Sequence, residues 1–94
     1  MLNKDDLIKG FCNGLEKGKG SNLAIVKNEY TGKTLLFNYE TIIAVRDTNS
    51  TIFLNTIKYS RITLRNQTLI RRYANNIVEI DNYSNLCNIL KDKN

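Results

Sequence analysis

Lys58, Arg61, Arg65, Arg71 and Arg72 are the residues of this chain whose type and spacing could do chemistry, five cations within fifteen positions. An arginine presents a planar fork that grips two oxygens of a phosphate or carboxylate, and a lysine adds a mobile point charge. From Thr48 to Val78 there is no Asp or Glu to neutralise them. The formal net charge is +5 over 94 residues, so the 63 residues outside that stretch sum to zero, nine Lys or Arg against nine Asp or Glu. All the excess positive charge therefore lies in one third of the chain. Ser60, Thr63, Asn66, Gln67 and Asn75 are interleaved as hydrogen-bonding groups; Tyr59 and Tyr73 read as rings that support the helix on the sheet, with stacking on a base as the alternative.

Other chemistries find little to work with. The chain has no His, which removes the usual neutral-pH general base and the commonest metal ligand. No pair of carboxylates is spaced for acid–base work, and Asp5 and Asp6 suit the first turn of a helix. Neither Ser60 nor Thr63 has a base partner nearby in sequence, and both suit helix capping. No cofactor motif and no metal-ligating set is present in the pattern, so an enzyme is not expected. Cys12 and Cys87 each fall on the apolar face of a predicted helix and read as small core residues. Two cysteines make no disulfide framework. No apolar run approaches the ~20 residues of a membrane-spanning helix, and the start MLNKDDLIKGFCNG is acidic where a secretory signal is basic. A soluble protein of the cytoplasm, here of a host cell, is the expectation.

Around the basic stretch the elements can be read in order. Leu7, Ile8, Phe11, Cys12 and Leu15 recur with helical period; Asn3 can cap that helix, and Lys17 followed by Gly18 or Gly20 can end it. GLEKGKG reads as a connector, since a phosphate-binding loop needs other spacing and sits at a helix N-terminus. Leu23–Lys27, Leu35–Phe37, Ile42–Arg46 and Thr51–Asn55 are strand-like runs separated by the turn segments NEYTGK, NYE and DTNS. Connections this short make antiparallel neighbours. A second helix follows, with Thr63 as the expected cap and Leu69, Ile70, Tyr73, Ala74 and Ile77 on one side. Arg65 and Arg72 fall together on another side, which Arg61 and Lys58 join if the helix begins earlier, while Arg71 lies further round. Leu64 falls outside the apolar stripe and Asn66 inside it. Ile77–Ile80 could add a short strand. Tyr83, Leu86, Cys87 and Leu90 share a face of a last helix, capped by Asp81 or Asn82, with Lys91 and Lys93 near its end. The sum is one α+β domain over residues 1–94. Its antiparallel sheet has three to five strands, with helices at the N-terminus, after the sheet and at the C-terminus.

Two segments carry a resemblance. LFNYETIIA (36–44) is similar to a strand–turn–strand signature that often reads Ser-Tyr-x-Thr-Pro-Ile-Ala, and NTIKYSRIT (55–63) resembles a following Tyr-Ser-x-Thr-Thr segment that continues into a basic helix. Both belong to a family of short uncharacterised proteins of bacteriophages and their low-GC hosts. The resemblance covers residues 35–73. Ile42 stands where that family often has Pro, Ile62 replaces the first Thr of the pair, and Asn66 replaces a frequent His. It implies a phage or mobile-element setting and no activity.

Two functions fit this pattern. In one, the basic face formed by Lys58, Arg61, Arg65, Arg71 and Arg72 contacts nucleic acid by laying cations on phosphates. In the other, the face recognises an acidic or nucleic-acid-binding protein complex of the host, for example as an anti-CRISPR-like inhibitor of a defence system. Neither involves a membrane. A homodimer through an exposed strand edge is compatible with both.

Overall fold

The computed structural model describes residues 3–20 and 22–91. Helix α1 (Lys4–Cys12) leads into strands β1 (Gly18–Gly20), β2 (Leu23–Lys27), β3 (Thr34–Asn38), β4 (Thr41–Arg46) and β5 (Ile52–Asn55). Helix α2 (Arg61–Tyr73), strand β6 (Ile77–Ile80) and helix α3 (Tyr83–Lys91) complete the chain. The expected α+β class holds, with three helices and a six-stranded sheet in the order β1-β2-β3-β4-β5-β6. All neighbours are antiparallel except β5 and β6, which run parallel because α2 carries the chain across between them.

The sheet has one strand more than expected, and the extra one comes from the segment read as a connector. Gly18–Gly20 pairs with β2, Gly18 opposite Ile25 and Gly20 opposite Leu23. A Cβ on Gly18 would lie 2.9 Å from Leu7 Cδ2, so glycine there lets α1 lie close over the sheet edge. Helix α1 also stops earlier than expected. Its last turn closes as a Schellman motif: Leu15 N–H donates to Gly10 O at 2.8 Å, Gly14 N–H to Phe11 O at 3.3 Å, and Gly14 takes φ +116°. At the other end Asn3 Oδ1 accepts from Asp6 N at 2.8 Å, as expected of a cap.

Strand alternation divides the core in two. Leu23, Ile25, Leu36, Ile43, Ala44, Ile52 and Leu54 face α1 and α2, meeting Leu7, Ile8, Phe11 and Ile70. Ile43 and Ala44 both reach this side because the register shifts between Leu36 and Phe37, so that Leu36 pairs with Ala44 and Phe37 with Ile42. On the opposite face Leu35, Ile42 and Val45, with Phe37, Phe53 and Ile80, pack against Leu86 and Leu90 of α3. The sheet is thus covered on both sides, by α1 and α2 on one and α3 on the other. Asn82 Oδ1 caps α3 by accepting from Ser84 N at 2.8 Å; Lys91 is in the last turn, and Lys93 lies outside the described residues.

Two cations are buried in this frame, Lys33 at 1% exposure and Arg46 at 7%. Each meets backbone carbonyls at the end of a helix, where the macrodipole is negative. Lys33 Nζ donates to Ile89 O of α3. Arg46 donates to Phe11 O and, at 3.3 Å, to Leu15 O; its guanidinium lies 5.5 Å from the Phe11 ring centre. Both cations therefore hold helices onto the sheet.

Candidate nucleic-acid interface

Helix α2 is set down on the sheet by polar bonds as much as by apolar contact. Ser60 caps it, its Oγ accepting from Thr63 N at 3.2 Å, so the cap lies three residues ahead of the one expected at Thr63 and the helix begins at Arg61. Gln67, one turn further on, anchors the helix. Its Nε2 donates to Asn55 O at 2.7 Å and Ile57 O at 3.0 Å, tying the helix to the end of β5 and the loop that follows. Asn66 Nδ2 donates to Asn38 Oδ1 at 3.0 Å, while Asn66 Oδ1 is buried with no partner among the described residues. Thr63, Asn66, Gln67 and Ile70 are the buried residues of the helix. Of the polar groups expected to reach a partner, Thr63, Asn66 and Gln67 are thus turned inward and Ser60 is engaged as the cap.

The opposite face is cationic. At 100° per residue Arg61, Arg65, Thr68 and Arg72 follow one another at i, i+4, i+7 and i+11, a row about 16 Å long at ~1.5 Å per residue. All four are exposed, as is Lys58 in the segment just ahead of the helix. The first turn of α2 holds no acidic residue. Arg71 falls on the flank, where its Nη2 lies 3.4 Å from Glu79 Oε1 of β6. The structure therefore brings Lys58, Arg61, Arg65 and Arg72 to one outward surface and ties Arg71 to a carboxylate beside it. Among the described residues, Arg71 is the one cation of the five in a salt bridge.

The two tyrosines separate. Tyr73 packs half-buried between α2 and α1: its hydroxyl donates to Asp5 Oδ2 at 2.9 Å and Lys9 Nζ lies 5.9 Å from the ring centre. The bond to Asp5 raises the Tyr73 pKa above its usual value, partial burial adds to this, and nearby Arg72 opposes it. Tyr59 instead stands at the surface, 45% exposed, with its hydroxyl accepting from Asn55 Nδ2 at 3.0 Å. Asn55 is itself buried and donates to Ile42 O at 2.9 Å, so the ring is held at a fixed place beside the helix start.

Leu64, 52% exposed, completes the surface. Lys58, Tyr59, Ser60, Arg61 and Leu64 line a cleft of about 210 Å³. Arg61, Leu64, Arg65 and Thr68 line the next depression, of about 430 Å³, so the two share Arg61 and Leu64 and run on along the helix. The sequence signal for this groove was the position of Leu64 outside the apolar stripe. Among the described residues no group of three or more His, Cys, Asp or Glu side chains could hold a metal ion, and no helix is long and apolar enough to cross a membrane. Comparison with family models, with curated proteins and with solved structures gave no match to this chain.

Proposed function

We propose that this chain is a small non-enzymatic binding protein that lays the outward face of α2 on the phosphates of a nucleic acid. The observation that carries the proposal is the exposed row of Arg61, Arg65 and Arg72 along one face of α2, with Lys58 ahead of it. The planar guanidinium fork is pre-organised for phosphate oxygens, and the acid-free first turn adds no repulsion. Gln67 and Asn55 hold the helix to the sheet without drawing on these cations. A phage-type setting inside a host cell accompanies the proposal through the resemblance of residues 35–73.

A second function has its own support. Leu64 and Ile62, 52% and 42% exposed, are apolar groups that a protein partner could cover. In that case the same face would occupy a nucleic-acid-handling complex of the host, in the manner of an anti-CRISPR-like inhibitor.

The test is binding of short labelled RNA, single-stranded DNA and duplex DNA over a salt series, with the wild type and with Arg65→Glu/Arg72→Glu. Salt-sensitive binding that the double variant loses, at an unchanged melting temperature, supports phosphate contact. Absence of binding to all three at low salt removes the nucleic-acid proposal and leaves the protein-binding one.

A further inference from the structure

The surface around α2 alternates in a way that duplex phosphates alone do not use. Passing along it, Lys58 is followed by Tyr59, Arg61 by Leu64, and Arg65 and Thr68 close the second depression. A duplex keeps its bases stacked and paired, so it can show this surface its backbone and base edges but no ring face to lie on Tyr59. A protein partner meets the opposite difficulty. Lysine is depleted at the core of a protein interface, and Lys58 lines the same cleft as Tyr59 and Leu64. A single strand supplies both components in turn, a phosphate and then an unpaired base whose ring can lie on an aromatic or aliphatic surface.

Resting on the nucleic-acid proposal above, we infer that the ligand is single-stranded. Its backbone follows Lys58, Arg61, Arg65 and Arg72, and one base is seated in the cleft between the Tyr59 ring and Leu64. Three features of Tyr59 suit it to this. The ring is 45% exposed. Its hydroxyl is held by Asn55 Nδ2 at 3.0 Å, so the platform is in place before the ligand arrives. The cleft it forms with Leu64 is also lined by two cations, Lys58 and Arg61, to take phosphates beside the base. The row of about 16 Å spans about five nucleotides at the ~3.4 Å rise of a stacked strand. The contacts to the base are to its ring face, and all four bases have one, so sequence preference is weak.

The experiment compares a labelled single-stranded 12-mer, its blunt duplex and inorganic polyphosphate, against wild type, Tyr59→Phe, Tyr59→Leu and Arg65→Glu/Arg72→Glu. The expected result is that wild type prefers the single strand to the duplex by about tenfold or more, and that Tyr59→Leu loses that preference by weakening single-strand binding about tenfold. Tyr59→Phe keeps the ring and loses only the bond from Asn55, so it weakens single-strand binding less than Tyr59→Leu does; a merely structural Tyr59 would weaken strand, duplex and polyphosphate alike in Tyr59→Leu. Polyphosphate binding is unchanged in the two Tyr59 variants and lost in the arginine variant. Equal binding of strand and duplex, or a Tyr59→Leu protein that retains the preference, overturns the single-strand inference while leaving phosphate contact standing. Failure of all three ligands to bind wild type overturns both.

Discussion

Arg65 and Arg71 are the same residue type on the same helix, and they differ in what holds them. Arg65 is exposed and outside any salt bridge among the described residues, whereas the Arg71 guanidinium lies 3.4 Å from the Glu79 carboxylate. This makes them a matched pair for testing the phosphate row. Each cation laid on a phosphate releases condensed counterions, so the logarithm of the binding constant falls with the logarithm of salt by about 0.7 per contact on a single strand. Four contacts, from Lys58, Arg61, Arg65 and Arg72, give a slope of about −2.8, and raising salt from about 50 to about 200 mM weakens binding roughly fifty-fold. Arg65→Ala removes one contact, so the slope falls to about −2.1 and the same salt step costs roughly twentyfold. Arg71→Ala removes an arginine already facing a carboxylate and changes the slope by less than half as much. Glu79→Gln releases Arg71 and steepens the slope. The assay is fluorescence anisotropy of a labelled 12-mer at four or more salt concentrations, with melting curves to show that each variant is folded. Equal flattening by Arg65→Ala and Arg71→Ala would refute the assignment of Arg71 to the flank, and a slope near zero in wild type would refute the row itself.

Two further predictions concern the frame beneath α2. Arg46→Met keeps an apolar stem beside Phe11 but removes the donors to Phe11 O and Leu15 O. Phe11 O keeps the Gly14 N–H, whereas the part-buried Leu15 O loses its Arg46 donor, so a loss of about 1 kcal/mol should lower the melting temperature by roughly 4–8 °C while leaving the salt slope unchanged. A melting curve within 2–3 °C of wild type (roughly 0.5 kcal/mol) would show that these carbonyls do not depend on Arg46. Cys12 packs half-buried beside α2, and burial pushes its thiol up to about 11, with nearby Arg46 pulling the other way. The reactive species is the thiolate, and with a pKa raised to about 11 roughly one Cys12 thiol in a thousand is ionised at pH 8. In a Cys87→Ser background, alkylation by iodoacetamide should therefore be slow at pH 8 and rise about tenfold per pH unit up to pH ~10. A rate at pH 8 equal to that of an unstructured peptide thiol would show that Cys12 is open to solvent.

Much of the architecture was legible along the chain because it is written in local patterns. The apolar period of Leu7, Ile8 and Phe11, the strand runs around Ile25, Leu36, Ile43 and Leu54, and the turn residues between them each report burial of a side chain near its own neighbours. The segregation of charge between Thr48 and Val78 is likewise a property of composition that no folding step alters. What the pattern could not carry is the destination of polar atoms. Gly18–Gly20 became a strand because β2 had an open edge and Leu7 needed the room above Gly18. Helix α2 started at Arg61 because Ser60 took the cap, and Asn66 and Gln67 turned inward to donate to oxygens of Asn38, Asn55 and Ile57 elsewhere in the chain.

The candidate surface divides in the same way. That it is cationic, and that Arg65 and Arg72 share a side, followed from residue type and the helical angle alone. Which cations are left to a partner did not. Arg46, read simply as the end of a strand, is buried against α1; Arg71, read as part of the working face, meets Glu79 of β6, the strand that α2 brings alongside β5. A charge carries no signature in sequence of the partner it will find, since that partner is brought near by the path of the whole chain. The position of Tyr59 depends on the same long-range accounting: its ring is exposed and steady because Asn55, twelve residues from Gln67 and thirteen from Ile42, is bonded to both segments. The sequence by itself determined how much positive charge this protein carries and on which helix. The tertiary structure decided which of those charges face outward together, because only folding assigns each buried donor and acceptor its partner.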